Sequence, residues 1–459
     1  MVLAAFMVPH PPLIIPEIGK EEVKTIEKTV RAYESVADEI AALRPDTIVI
    51  TSPHSVMYAD CFHVSPGKNA NGSFAGFGAR DVSFSEEYDR ELVQKITEIS
   101  YKDPMATTLG EKDASLDHGT LVPLYFIRQK YKEGRIVRIG LSGLPFEDHY
   151  RLGRRIAEAA EALNRNIVFV ASGDLSHKLK EYGPYGFSKE GVEYDKKLMD
   201  VCERGALGEL MEFNSHFCDR AAECGHRSFI IMSGALDGYE VRARVYSHED
   251  ITGVGYGICS FYPTKKNCER EFLRIRLIKK EKEFAERRAN EDAYVRLARE
   301  TVNTYVRSGK IMDVPLDCPI EMTEKKAGAF VSIHKNDNLR GCIGTICATR
   351  DNIAKEIIHN AIAASTQDPR FTPITEDELD ALEISVDILG EAQDIDSPEL
   401  LDVKRYGVIV SNETKRGLLL PDLDGVDTVE DQIAIARSKA GILDGEKYKL
   451  QRFEVIRHY

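Results

Sequence analysis

The sequence predicts two successive domains: an α/β domain whose mixed sheet is flanked by helices, then a separate α+β domain. Three observations predict this. Short apolar runs alternate with amphipathic stretches as far as about residue 262, the pattern of buried, largely parallel strands joined by helices. A run dense in Lys, Arg and Glu fills residues 263–289. Beyond residue 290 an amphipathic helix is followed by strands, two of them forming a hairpin-like pair.

The first apolar run, Leu3-Ala-Ala-Phe-Met-Val8, has no basic segment before it and stops at Pro9-His10-Pro11-Pro12, so it is a core strand and not a signal peptide. Residues 21–43 have helical periodicity and end before Pro45; residues 46–51 are a strand. Residues 65–83 carry Gly67, Gly72, Gly76 and Gly78 and read as a long loop, either a plain surface excursion or a mobile cover for the sheet edge. Residues 85–100 are helical, with Ser85 as N-cap. A helix over 120–131, a strand over 136–141, a helix over 146–163 and a strand over 167–171 follow. Residues 220–236 read as one helix opening on Ala-Ala-Glu-Cys-Gly, and strands over 241–246 and 253–262 close the first domain, 1–262. Residues 263–289 form a charged linker passing into a helix, a solvated face and not a binding patch.

The second domain, 290–459, opens with a helix over 293–306 that Ser308-Gly309 ends. Strands over 328–334 and 341–346, a helix over 351–364 and a strand over 382–389 come next. Strands over 406–411 and 416–420 flank Asn412-Glu-Thr-Lys415, before a helix over 428–440 and a strand over 449–456.

The composition excludes several classes of function. A net charge of -14 argues against nucleic acid as the main partner. No apolar run is long enough to span a membrane. Nine cysteines, scattered without paired spacing and without an export signal, read as reduced thiols of a cytoplasmic protein. The lack of a Cys-x-x-Cys pair argues against a structural zinc finger.

Three histidines each sit just past an apolar run: His10, His54 in Thr51-Ser-Pro-His54, and His177 in Gly173-Asp-Leu-Ser-His177. In sheets of this kind ligands bind beyond the carboxyl ends of the strands, so the three imidazoles are expected to converge there. A non-haem Fe(II) site wants two histidines and one carboxylate with open positions. His10 and His54 supply the imidazoles, and Glu223, at the start of a helix that keeps it ionised, supplies the carboxylate. His177 then serves as acid/base, and Asp174 fixes its tautomer or orients another ring. His63, His149, His216 and His248 read as hydrogen-bonded loop residues, and His226 as a neighbour of Glu223.

His10-Pro-Pro, Ser52-Pro-His54, Asp117-His-Gly-Thr-Leu-Val-Pro123, Gly173-Asp-Leu-Ser-His177 and Ala222-Glu-Cys-Gly225 occur in the order seen in LigB-like proteins, the class III extradiol ring-cleaving dioxygenases. Residues 1–262 also resemble the related Memo family. The resemblance implies Fe(II), with zinc or copper as alternatives, on His10, His54 and Glu223, and a catechol-like aromatic substrate. It implies an acid/base role for His177 and places His118 near the substrate. Memo relatives put a cysteine where the carboxylate should be, and here Glu223 and Cys224 are adjacent. On a helix they point about 100° apart, so one of the two is the ligand. Glu223 is favoured because oxygen ligation suits Fe(II) oxygen chemistry, whereas Cys224 would remove the support for ring cleavage.

In the second domain Asn338-Leu-Arg-Gly-Cys-Ile-Gly-Thr345 sets Cys342 between two glycines, either as an exposed thiol whose pKa a nearby Arg340 lowers or as a small buried hydrophobe. With Gln367-Asp-Pro-Arg-Phe-Thr-Pro373 and Gly417-Leu-Leu-Leu-Pro421, this phrase resembles the AMMECR family. Chains joining the two parts resemble components of the AmmeMemoRadiSam system. That implies a radical S-adenosylmethionine (SAM) protein as partner and a second role, a metal-binding adaptor or carrier in place of an oxidoreductase. This chain has no Cys-x3-Cys-x2-Cys run for that cluster itself. Homodimerisation is a further expectation from the resemblance.

Overall fold

In the computed structural model, which describes residues 1–110, 115–335, 338–423, 425–443 and 445–459, the chain separates into two units, Met1–Leu277 and Ile278–Tyr459. The first is built on six strands: β1 (Val2–Val8), β2 (Thr47–Ser52), β3 (Arg135–Gly140), β4 (Ile167–Ser172), β5 (Tyr239–Glu249) and β6 (Tyr256–Lys266). Their order across the sheet is β3-β2-β4-β1-β6-β5. The four strands from β3 to β1 are parallel, and β6 and β5 add an antiparallel edge.

Successive side chains of a strand face opposite ways, and β1 buries both sets. Ala4, Phe6 and Val8 pack with Tyr33 and Ile40 of helix α1 (Glu27–Leu43) and Phe126 of α2 (His118–Lys130). Ala5 and Met7 pack with Tyr150 and Ile156 of α3 (Phe146–Ala162) and Phe229 of α4 (His226–Ala235). Burial on both faces explains why these strands read as unbroken apolar runs.

Three expectations for this unit are corrected. Residues 65–83 are no loop: strands Asn69–Phe74 and Ala79–Glu87 form a hairpin whose Phe74 is fully buried. Ser85 therefore lies within a strand, and the next helix, Arg90–Ile99, is capped by Asp89, which accepts a hydrogen bond from Leu92 N at 3.2 Å. Nor are residues 220–236 one helix. A first helix, Ser215–Ala221, ends where Ala222 turns left-handed (φ 53°), and α4 starts only at His226.

The second unit curls one antiparallel sheet from β7 (Gly328–Lys335), β8 (Asn338–Gly344), β9 (Leu382–Leu389), β10 (Tyr406–Ser411), β11 (Arg416–Leu419) and β12 (Lys449–His458), in the order β8-β7-β9-β12-β10-β11. Helix α5 (Ala293–Ser308), capped by Asp292 and closed by Gly309 at φ 68°, packs Val295 and Val302 against Val331 and Ile357 of helix α6 (Ile353–Thr366). Helix α7 (Val429–Ala440) lays Ile433 and Ala436 on Val408, Val410 and Leu419. Among the described residues no helix is long and apolar enough to cross a membrane.

One buried charge ties the first unit together. Arg138 of β3 is fully buried, donating from Nε to Ser65 Oγ at 2.8 Å and from Nη1 to Ser115 O at 2.7 Å, with Asp117 Oδ2 at 3.4 Å. Asp117 in turn caps α2 through Thr120 N at 3.0 Å and accepts from Ser52 Oγ at 2.5 Å. Removing the guanidinium leaves a carboxylate buried without its counter-charge. Arg138→Met is expected to destabilise the first unit by about 3–5 kcal/mol in denaturant unfolding; a loss under about 1 kcal/mol would show that Asp117 does not need the charge.

Candidate metal centre

The parallel strands end level: Thr51 lies opposite Ala171, and Ser172 opposite Val8. His54, Asp174 and His10 each follow their strand's last residue by two positions, so all three arrive at one edge of the sheet. His10 is buried and His54 exposed, and their Nε2 atoms are 3.0 Å apart. Ser172 Oγ donates its one hydrogen to Gly119 O at 2.6 Å, so at 3.0 Å it accepts from His10 Nδ1–H. That fixes the tautomer with the His10 Nε2 lone pair turned toward His54, the form a metal ligand requires.

The third residue of this candidate group is Cys224. Its sulfur is 3.7 Å from His10 Nε2 and accepts from Asp174 N at 3.2 Å, and one donor atom each from His10, His54 and Cys224 lie within 4.8 Å of one another. Tetrahedral bonding with metal–nitrogen bonds near 2.05 Å and metal–sulfur bonds near 2.3 Å places donors about 3.3–3.6 Å apart, so these residues fit an ion. Two glycines allow it: a Cβ on Gly173 would stand 2.1 Å from Gly225 Cα, a contact that brings the Cys224 loop onto the end of β4.

Glu223, favoured as ligand from the sequence, stands outside this group of donors. Glu223 Oε2 accepts from His226 N at 2.5 Å at the start of α4, and Glu223 joins neither of the donor groups found among the described residues. The helix N-terminus does engage the carboxylate, as read from the sequence. Burial works against its charged form, pushing Glu223 up to about 7 against the pull of the His226 N–H. The argument from helical spacing fails too, since both residues lie in the break before α4.

Around the triad stand the other residues singled out in the sequence. His118, first residue of α2, lies with its ring centroid 4.0 Å from that of His54 and 5.4 Å from that of His10. Phe77, at the tip of the hairpin, approaches His118 to 5.4 Å, a wall that the glycine-rich sequence gave no sign of. His177 stacks on Tyr185 at 5.0 Å, and with Asp174 and Cys224 it makes a second group of donors within 4.8 Å of one another. Asp174 Oδ1 accepts from His10 N at 2.8 Å, so its carboxylate positions the His10 backbone. Burial lowers His10 to about 3 and His118 to about 4, lowers His177, and raises Asp174 to about 6 and the Cys224 thiol further still. His226 takes no part: it is buried between Tyr194 Oη at 3.0 Å and Leu210 O at 2.9 Å.

Residues 4–259 match the family model described as the catalytic LigB subunit of aromatic ring-opening dioxygenase. The chain belongs to the LigB family. Residues 295–458 match the AMMECR1 model, so the LigB chain carries an AMMECR1 domain behind it. A protein of Clostridium acetobutylicum is 40% identical over 464 residues, covering 99% of this chain and 98% of its own length. A Thermotoga maritima protein is 49% identical over 170 residues, 37% of this chain and 98% of its own. An uncharacterised protein from Pyrococcus horikoshii, known as a crystal structure, is similar at 30% identity and a TM-score of 0.34, over 36% of this chain and 88% of its own.

In the AMMECR1 domain Arg340 does not serve Cys342. Its guanidinium pairs with Glu378 (Nε–Oε1 3.0 Å, Nη2–Oε2 2.9 Å) and donates to Thr372 O at 2.7 Å. Cys342 instead lines a cleft of about 1130 Å³ with Ser332, Arg370, Arg416 and Lys439. Ser332 Oγ is 3.3 Å from its sulfur, and its N–H donates to Asp368 at 2.9 Å, the carboxylate that also pairs with Arg370 at 2.7 Å. Arg370 stands in the phrase Gln367-Asp-Pro-Arg-Phe-Thr-Pro373 with nothing in the sequence to join it to Cys342, and sequence reasoning missed Lys439, 97 positions beyond Cys342.

Two outcomes follow. Cys224→Ser is expected to lose most of the bound metal and the cobalt–thiolate charge-transfer band of the Co(II) form, while Glu223→Gln keeps both; the reverse pattern would restore Glu223 as ligand. The Arg340 hydrogen bonds hold Glu378 down at about 2. A depressed carboxyl contributes stability above its unfolded pKa, near 4.3, that is lost as pH falls through about 2. Wild type should therefore exceed Arg340→Ala in stability at pH 7, with the gap closing as pH drops from about 4 to about 2 in acid titrations followed by circular dichroism.

Proposed function

We propose that the first unit is a metal-dependent oxidoreductase of the LigB type, with its ion on His10, His54 and Cys224 and a small aromatic diol beside it. The observation that carries this reading is the convergence of three donor atoms, from three distant segments, within 4.8 Å at the level ends of adjacent parallel strands. Bound there, an ion supplies open positions for a chelating substrate and for dioxygen. Iron(II) is the ion the family implies, and the thiolate of Cys224 brings zinc and copper into the same test.

The chain's own residues divide the remaining work. His177, kept neutral at pH 7 by burial, accepts a substrate hydroxyl proton at a ring nitrogen. His118 and Phe77 form the wall against which an aromatic ring packs. Asp174 positions His10 through the backbone bond at 2.8 Å.

Cys224 itself favours a second reading. A thiolate donor suits metal retention and removes the support that an oxygen ligand gives ring cleavage, so it favours a carrier or adaptor that hands metal to a radical SAM partner. Metal analysis of anaerobically purified protein followed by oxygen uptake with a panel of catechols separates the two. Stoichiometric oxygen uptake and a yellow ring-opened product, both abolished in His10→Ala, are the expected result. Bound metal without uptake on any catechol would sink the oxidoreductase and leave the carrier.

A further inference from the structure

We propose that the first unit holds a second divalent ion on Asp174, His177 and Cys224, with the Cys224 sulfur bridging it to the ion on His10 and His54. The inference rests on the triad reading above and adds a position to it. Both donor groups meet the same condition, every donor atom within 4.8 Å of the others, and Cys224 is the member they share. Sulfur can bond two ions at once: with bonds near 2.3 Å it spans up to about 4.6 Å, and ions in two-metal sites stand about 3.5–4 Å apart.

Three features fit this position to a ligand. His177 Nε2 is buried and makes no hydrogen bond among the described residues, an arrangement costly for a ring nitrogen unless something binds it. The His177 ring stacks on Tyr185, 5.0 Å away at 28°, a contact that leaves Nε2 uncommitted. The Asp174 carboxylate uses Oδ1 on His10 N at 2.8 Å, while Oδ2 remains 4.0 Å from His10 Nε2, on the side of the first position. Imidazole, carboxylate and thiolate together are a donor set for borderline ions such as Zn²⁺.

The chemistry balances without a further reactant. Cys224 releases one thiol proton to solvent, its thiolate serves both ions, and no oxidation state changes. One consequence bears on the proposed reaction. With the second position filled, His177 is a ligand and no longer accepts a proton, so occupancy of this position switches the site from turnover to metal holding.

The test titrates the reduced, metal-free full chain with Zn²⁺ and Co²⁺ under anaerobic conditions. Wild type is expected to bind two equivalents, and the Co²⁺ electron paramagnetic signal should grow over the first and shrink over the second as the ions couple through sulfur. His177→Gln, and Asp174→Asn, which keeps an acceptor for His10 N, should each bind one equivalent with an uncoupled signal. One equivalent in wild type and in both variants would overturn the second position and leave the triad standing. No bound metal in wild type would overturn the triad as well. Two equivalents with no coupling would place the second ion away from Cys224 and overturn the bridge.

Discussion

The site depends first on the register of three neighbouring parallel strands. β2, β4 and β1 are buried on both faces, so slipping one past another by a residue would exchange the two sets of core side chains and break both packings. The register is held by the two cores, on residues remote from any chemistry. Its by-product is that Ser52, Ser172 and Val8 stop level, and the residues two positions on meet at one edge. The short polar residues at the strand ends then set the ligands' orientation: Ser172 selects the His10 tautomer, and Ser52 Oγ binds the carboxylate that caps α2 beneath His118.

The third donor comes from a different kind of constraint. Cys224 reaches the imidazoles only because the helix preceding it breaks at Ala222, in a left-handed conformation that costs a non-glycine residue about 1–2 kcal/mol. The backbone contact between Gly173 and Gly225 lets the broken segment settle against β4, and the Glu223 carboxylate caps the helix that restarts. Glu223 and Cys224 therefore divide two tasks between them, one closing a helix end and the other facing the site. A side chain at position 173 would push the thiol away from His10 with no change in any donor.

This also explains what could be read from the sequence. His10, His54 and Asp174 were legible because each follows a run of apolar residues, and strand ends are marked by composition. In the second unit the bounds of β9 and β10 were legible for the same reason. The break at Ala222 was not, since alanine is the strongest helix former and nothing local forecasts its left-handed turn. The hairpin over residues 69–87 was hidden by its glycines, which signal turns more loudly than its strands signal pairing. The partner of Arg340 was out of reach because Glu378 lies 38 positions away and meets it only through the fold. Spacing along one element can be read; contacts across elements cannot.

What burial does to the donors gives the arrangement its direction. Without an ion, enclosure keeps His10 neutral, raises Asp174 to about 6 and raises the Cys224 thiol well beyond its ordinary range. Each of these shifts disfavours charge. A cation reverses the balance at once: the neutral His10 ring binds it without first losing a proton, and the acids ionise toward the ion. A site of imidazoles alone would gain little from burial beyond dryness. Placing a thiol among them makes cation binding and proton release a single event.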